Sequence, residues 1–122
     1  MIFLFKILVV DDEPDLRYLL RRVFERAGHE VSDARDGAAA LEALHRSRPD
    51  LVVTDMMMPV MGGAELIRRL RADPGTALIP ILAVTGDAHL AGGADTVLHK
   101  PWTSQQLLAA AAALMPQKVD HT

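Results

Sequence analysis

Four short apolar runs, each closed by a polar side chain, constrain this chain more than anything else in it. Ile7-Leu8-Val9-Val10 runs into Asp11-Asp12, Leu51-Val52-Val53-Thr54 into Asp55, Ile81-Leu82-Ala83-Val84 into Thr85, and Val97-Leu98-His99 into Lys100-Pro101. The runs are rich in β-branched residues and lack polar alternation, the pattern of parallel strands buried on both faces. Helical segments separate them, and strand and helix alternate along the 122 residues. That order predicts an α/β fold, a doubly wound five-stranded parallel sheet in a single domain. A chain of this length sustains one core and not two. In an open sheet of this kind the carboxyl ends of the strands converge on one crevice. Asp11, Asp12, Asp55, Thr85 and Lys100 should therefore meet there.

The periodicities place a first strand at about 6–11 and a helix at about 14–27, with Leu16, Leu19, Leu20, Val23, Phe24 and Ala27 inward. Pro14 suits its first turn and Gly28 its C-terminal cap. A weaker strand covers about 29–34, and Asp36 caps a helix that runs to about 46 with Leu41 and Leu44 inward. A further helix at about 64–72 rests on Leu66, Ile67 and Leu70, and Asp73-Pro74-Gly75 ends it in a turn. Thr103 and Gln106 form a capping box for the last helix, about 104–115, which packs through Leu107, Leu108, Ala111 and Leu114.

Several function classes drop out on composition. A net charge of −3 offers no electrostatic footprint for nucleic acid or an anionic membrane. The absence of cysteine excludes disulfides, thiol nucleophiles and cysteine-ligated zinc. The five histidines (His29, His45, His89, His99, His121) show no metal-ligand spacing. Nothing approaches the roughly 20 apolar residues of a membrane span. Residues 1–5 are apolar but lack the basic start and small-residue cleavage site of a signal peptide, so the chain reads as cytoplasmic. That apolar start reads as an extension of the first strand or a tail seeking a partner surface, a homodimer contact among them.

Three carboxylates in one crevice repel one another unless a cation sits among them. Hard oxygen donors with open positions suit Mg²⁺. A carboxylate beside Mg²⁺ can act as a nucleophile toward phosphorus, and the rest of phosphoryl transfer is positioning and charge stabilisation. Lys100 would supply a positive charge to one phosphoryl oxygen and Thr85 a hydroxyl to another, with Gly86 leaving room for the incoming group.

Val10-Asp11-Asp12-Glu13-Pro14, the stretch from Asp55 through Met56-Met57-Met58-Pro59 to Gly62-Gly63, Thr85, and Lys100-Pro101-Trp102 together resemble the receiver domain of two-component response regulators. The resemblance runs from about Lys6 to Met115. It implies a flavodoxin-like, CheY-like fold with strand order 2-1-3-4-5 and Mg²⁺-dependent phosphorylation of Asp55 by a histidine kinase or histidine phosphotransfer protein. It implies direct Mg²⁺ ligation by Asp12, Asp55 and the Met57 backbone carbonyl, with Asp11 acting through water, and a cis peptide between Lys100 and Pro101. Such a domain is not an enzyme in the ordinary sense, since it catalyses only its own phosphoryl uptake and loss. Residues 1–122 read as one receiver without an effector domain, signalling through contacts with a downstream protein partner.

Two departures stand out. Val97 occupies the position where the family usually carries an aromatic switch. The segment between Thr85 and Lys100 is roughly two helical turns shorter than usual, and Gly86, Gly92 and Gly93 thin it further. A reduced fourth helix is therefore expected, with the response to phosphorylation carried by residues 86–93. Arg17, Arg21, Arg22 and Arg26 form the polar side of the first helix, either a solvated face or a kinase-docking surface. Two other functions compete: a receiver module within a hybrid histidine kinase or larger regulator, and a phosphatase of the haloacid dehalogenase type. The second needs an aspartate where Met57 stands.

Overall fold

The computed structural model describes residues 4–116. Residues 1–3 of the apolar start, and His121, lie outside the described residues. Five parallel strands form as the apolar runs predict: β1 (Lys6–Val10), β2 (Glu30–Ala34), β3 (Leu51–Thr54), β4 (Ile81–Thr85) and β5 (Thr96–His99). Their spatial order is β2-β1-β3-β4-β5. Three helices connect successive strands, α1 (Pro14–Arg26), α2 (Gly37–Arg46) and α3 (Gly63–Ala72), and α4 (Ser104–Leu114) follows β5. The strand order is the one expected of a flavodoxin-like, CheY-like fold.

Successive strand residues point to opposite faces, and here both faces are apolar. Ile7, Val9, Leu51, Val53, Leu82 and Val84 meet Leu20 and Phe24 of α1 and Leu107 and Ala111 of α4. Leu8, Val10, Val52, Ile81 and Ala83 meet Ala40 and Leu44 of α2 and Leu66, Ile67 and Leu70 of α3. The helix ends follow the sequence signals. Asp36 accepts from Ala39 N–H, and Thr103 with Gln106 closes a capping box. Gly28, at φ 97°, ends α1 with its N–H on the Glu25 carbonyl and that of His29 on Phe24, the paired bonds of a left-handed glycine cap. His29 itself is buried beside the Phe5 and Phe24 rings, and burial pushes its imidazole pKa down.

Leu19 departs from the expectation that it points inward, being 48% exposed. Leu20 and Phe24 take the sheet, and one residue is about 100° of helix rotation. Leu19 is thereby turned onto a groove between α1 and α4 that Tyr18, Arg22, Val23 and Leu108 also line.

In place of the reduced helix expected between Thr85 and Lys100, the β4–β5 crossover contains a single 3₁₀ turn, Ala88–Leu90. Gly93 sits at φ 92°, and a Cβ there would lie 2.9 Å from Ile67 Cγ2, so the crossover lies directly on α3. Ala91 is buried in the same cluster, and Val97 packs against it in place of a ring.

Val60, in the loop after β3, adopts φ 67° with 87% of its surface exposed. A β-branched residue pays for the left-handed region with a clash that no burial offsets here. Val60→Asn should raise stability by about 1 kcal/mol, because asparagine enters this region far more readily. Thermal unfolding of the two proteins checks it, and an unchanged or lower midpoint would contradict the strain.

Candidate functional site

The register of the sheet assembles the site. Val10 of β1 pairs with Thr54 of β3, so the next residues, Asp11 and Asp55, leave the sheet side by side. Asp55 N–H donates to the Val10 carbonyl at 2.9 Å, and Asp11 N–H to Ala34 at 3.1 Å. Carboxylate oxygens of Asp11, Asp12 and Asp55 all lie within 4.8 Å of one another. At the end of β5, Lys100 N–H donates to the Thr85 carbonyl at 3.0 Å and the following peptide to Pro101 is cis. Lys100 Nζ reaches Asp55 Oδ1 at 3.4 Å. The same oxygen accepts from Met56 N–H at 2.8 Å, and among the described residues Oδ2 has no hydrogen bond.

Thr85 is placed differently from the others. Its hydroxyl accepts from Asp87 N–H at 3.1 Å and donates to the Asp87 carbonyl at 3.3 Å, closing a local turn, and among the described residues it makes no hydrogen bond to Asp55. Gly86 beside it leaves open space.

Asp55 is tightly packed from behind. A Cβ on Gly63 would lie 2.5 Å from the Asp55 carbonyl and 2.8 Å from Met56 Cα, so the first turn of α3 sits directly against the backbone of the aspartate. The Thr54 hydroxyl donates to the same carbonyl at 2.7 Å. In the loop, Met56 and Pro59 carbonyls accept from Gly63 and Met61, whereas the Met57 carbonyl takes no hydrogen bond among the described residues. The methionines divide accordingly, Met56 buried and Met57 exposed.

The electrostatics call for positive charge. The Asp11 carboxyl is pushed above its ordinary range, first by burial and then by Asp55 and Asp12, against the Glu13 N–H bond and Lys100, which pull it down. Three hard oxygen donors, with one lysine against them, match what Mg²⁺ takes from a protein.

Two features escaped the sequence reading. Arg17 and Arg21 are engaged within the domain: Arg17 donates to the Asp11 carbonyl, and Arg21 pairs with Glu25 and Asp33. Only Arg22 and Arg26 of the four remain without a partner among the described residues, and both line the α1–α4 groove. Arg71 likewise ties α3 to the β4–β5 crossover through Gly93 and Asp95. An arginine's reach hides such partners, because the long side chain can meet a carbonyl or carboxylate on a neighbouring element that no periodic pattern marks. No helix among the described residues is long and apolar enough to cross a membrane.

A family model described as the response regulator receiver domain matches residues 7–112. The DNA-binding response regulator MtrA of Mycolicibacterium smegmatis is 37% identical over 120 residues, covering 95% of this chain and 53% of its own length. The chain spans about half the length of the curated relatives it matches. Among solved structures, the chemotaxis response regulator CheY4 of Vibrio cholerae superposes with a TM-score of 0.85 at 31% identity, over 90% of this chain and 98% of that one. The response regulator TrrA of Thermotoga maritima, solved in complex with Mg²⁺-BeF, gives 0.82 at 30% identity over 90% and 98% of the two chains.

Proposed function

The chain belongs to the response regulator receiver family, and we propose that within it Asp55 accepts a phosphoryl group from a histidine kinase or histidine phosphotransfer protein in a Mg²⁺-dependent step. The observation that carries this reading is the cluster itself: three carboxylates within 4.8 Å, with Lys100 Nζ 3.4 Å from Asp55 Oδ1. A carboxylate oxygen of Asp55 attacks the phosphorus of a phosphohistidine. The new O–P bond forms as the P–N bond breaks, its electron pair returning to the donor imidazole. Lys100 follows the charge onto the phosphoryl oxygens. Thr85 donates its hydroxyl to another of them once that proton leaves the Asp87 carbonyl. Asp12, Asp55 and the Met57 carbonyl would hold Mg²⁺ directly, with Asp11 through water. When bound, the ion neutralises the carboxylates and the charge developing on the phosphoryl group.

The α1–α4 groove suits the kinase. Tyr18, Leu19, Val23 and Leu108 offer an apolar strip beside Arg22 and Arg26, which fits an amphipathic helix with an acidic edge. The domain works in the cytoplasm, and its output passes through protein contacts of the receiver surface. The greater length of the relatives favours a second arrangement, in which that contact is made to a further module of a larger regulator or hybrid kinase. Intact mass after a small phosphodonor such as acetyl phosphate tests the core of the reading. One phosphoryl group should add with Mg²⁺ and none with EDTA. No addition at any Mg²⁺ concentration, or equal addition in EDTA, would overturn it.

A further inference from the structure

We propose that Arg17 is a positioning residue for the divalent-cation pocket, acting through the backbone carbonyl of Asp11. The proposal rests on the reading of the acidic cluster as that pocket. The ladder of β1 ends at Val10, so the next residues leave the sheet with little to hold them. Three bonds fix this turn: Asp11 N–H on Ala34, Asp11 Oδ1 accepting from Glu13 N–H at 2.9 Å, and Arg17 Nη1 on the Asp11 carbonyl at 2.8 Å. The carbonyl belongs to the planar peptide that joins Asp11 to Asp12. Pinning its oxygen fixes the plane, and with it the direction in which the Asp12 side chain leaves the backbone.

The guanidinium does this without competing for the carboxylates. Among the described residues Arg17 forms no ion pair, in contrast to Lys100 on Asp55. It is permanently charged and presents several donors, so the bond survives changes in the pocket's own protonation. Arg21, one turn along the same helix, bonds Glu25 and Asp33 and, among the described residues, makes no hydrogen bond to Asp11, Asp12 or Asp55. The two arginines thus form a built-in comparison.

Calorimetric titration of the full chain with Mg²⁺ alone, in wild type, Asp12→Asn, Arg17→Met, Arg17→Lys and Arg21→Met, tests the assignment. Losing such an outer support should raise the Mg²⁺ dissociation constant of Arg17→Met about tenfold. Arg17→Lys, which can still donate to the carbonyl, should recover most of that loss. Arg21→Met should lower the unfolding midpoint of the metal-free chain yet leave Mg²⁺ affinity unchanged. Wild-type affinity in Arg17→Met, in a set where Asp12→Asn has lost the ion, would overturn the role of Arg17 and leave the metal pocket standing. A lysine variant no better than methionine, or an equal loss in Arg21→Met, would overturn it as well. A wild type that binds no Mg²⁺ would take down the pocket reading, and this inference with it.

Discussion

Asp55→Asn should abolish phosphoryl uptake while leaving the fold intact. The amide carbonyl can still accept the Met56 N–H that holds Asp55 Oδ1 at 2.8 Å, so the loop after β3 keeps its anchor. What disappears is the anionic nucleophile and the counter-charge for Lys100. Neither neighbouring carboxylate can replace it. Asp11 is buried and has one oxygen engaged by Glu13 N–H. Asp12 is more open, yet among the described residues Lys100 contacts Asp55 and not Asp12. The measurement is intact mass against time with a small phosphodonor and Mg²⁺, with circular dichroism to confirm the fold. Uptake by Asp55→Asn at the wild-type rate would move the phosphoryl group to another residue and remove the proposed role of Asp55.

Why Asp55 was legible in sequence, and Arg17 was not, comes down to which forces place each. Buried parallel strands announce themselves by composition, because Val9, Val52 and Leu82 must meet apolar neighbours on either face. Once strand order is known, backbone pairing alone sets Asp11 beside Asp55, and the caps at Asp36 and Thr103 are local chemistry. The residues that departed from expectation obey tertiary or very local terms. Leu19 faces a groove whose far wall is α4, more than eighty positions on. The Thr85 hydroxyl is claimed by the amide two residues later, a turn bond that no strand pattern encodes. Val60 takes a left-handed conformation because the Met56–Gly63 and Pro59–Met61 bonds close the loop around it. The shortened crossover was visible as missing length and added glycine. What holds it in place was not, because its anchor lies on α3.

That anchor is Arg71, and Arg71→Ala should cost about 3 kcal/mol of stability. Its Nη1 donates to the Ala77 and Ile79 carbonyls at 2.8 and 2.9 Å, and its Nε and Nη2 to Gly93. Nη2 also meets Asp95 Oδ2 at 2.7 Å, the oxygen that accepts Ile81 N–H at the start of β4. One side chain therefore joins α3, the turn before β4 and the end of the crossover, where the family ordinarily has a packed helix. Truncation leaves the carbonyl of the buried Ile79 without this donor and Asp95 without its counter-charge. Arg71→Lys should restore only part of the loss, since an ammonium cannot reproduce the planar fork. Denaturant unfolding gives the total, and hydrogen exchange gives its location. In Arg71→Ala the amides of Ala94, Asp95 and Ile81, bonded to Ala91, Ile81 and Asp95, should lose protection ahead of those in β1. In the wild type, a Mg²⁺-BeF phosphoryl mimic should alter exchange at residues 87–90, next to the Thr85 turn, and leave Asp95 protected. A stability change below about 0.5 kcal/mol in Arg71→Ala, the range of an ordinary surface substitution, would show that the crossover is held by Ala91 and Val97 packing instead.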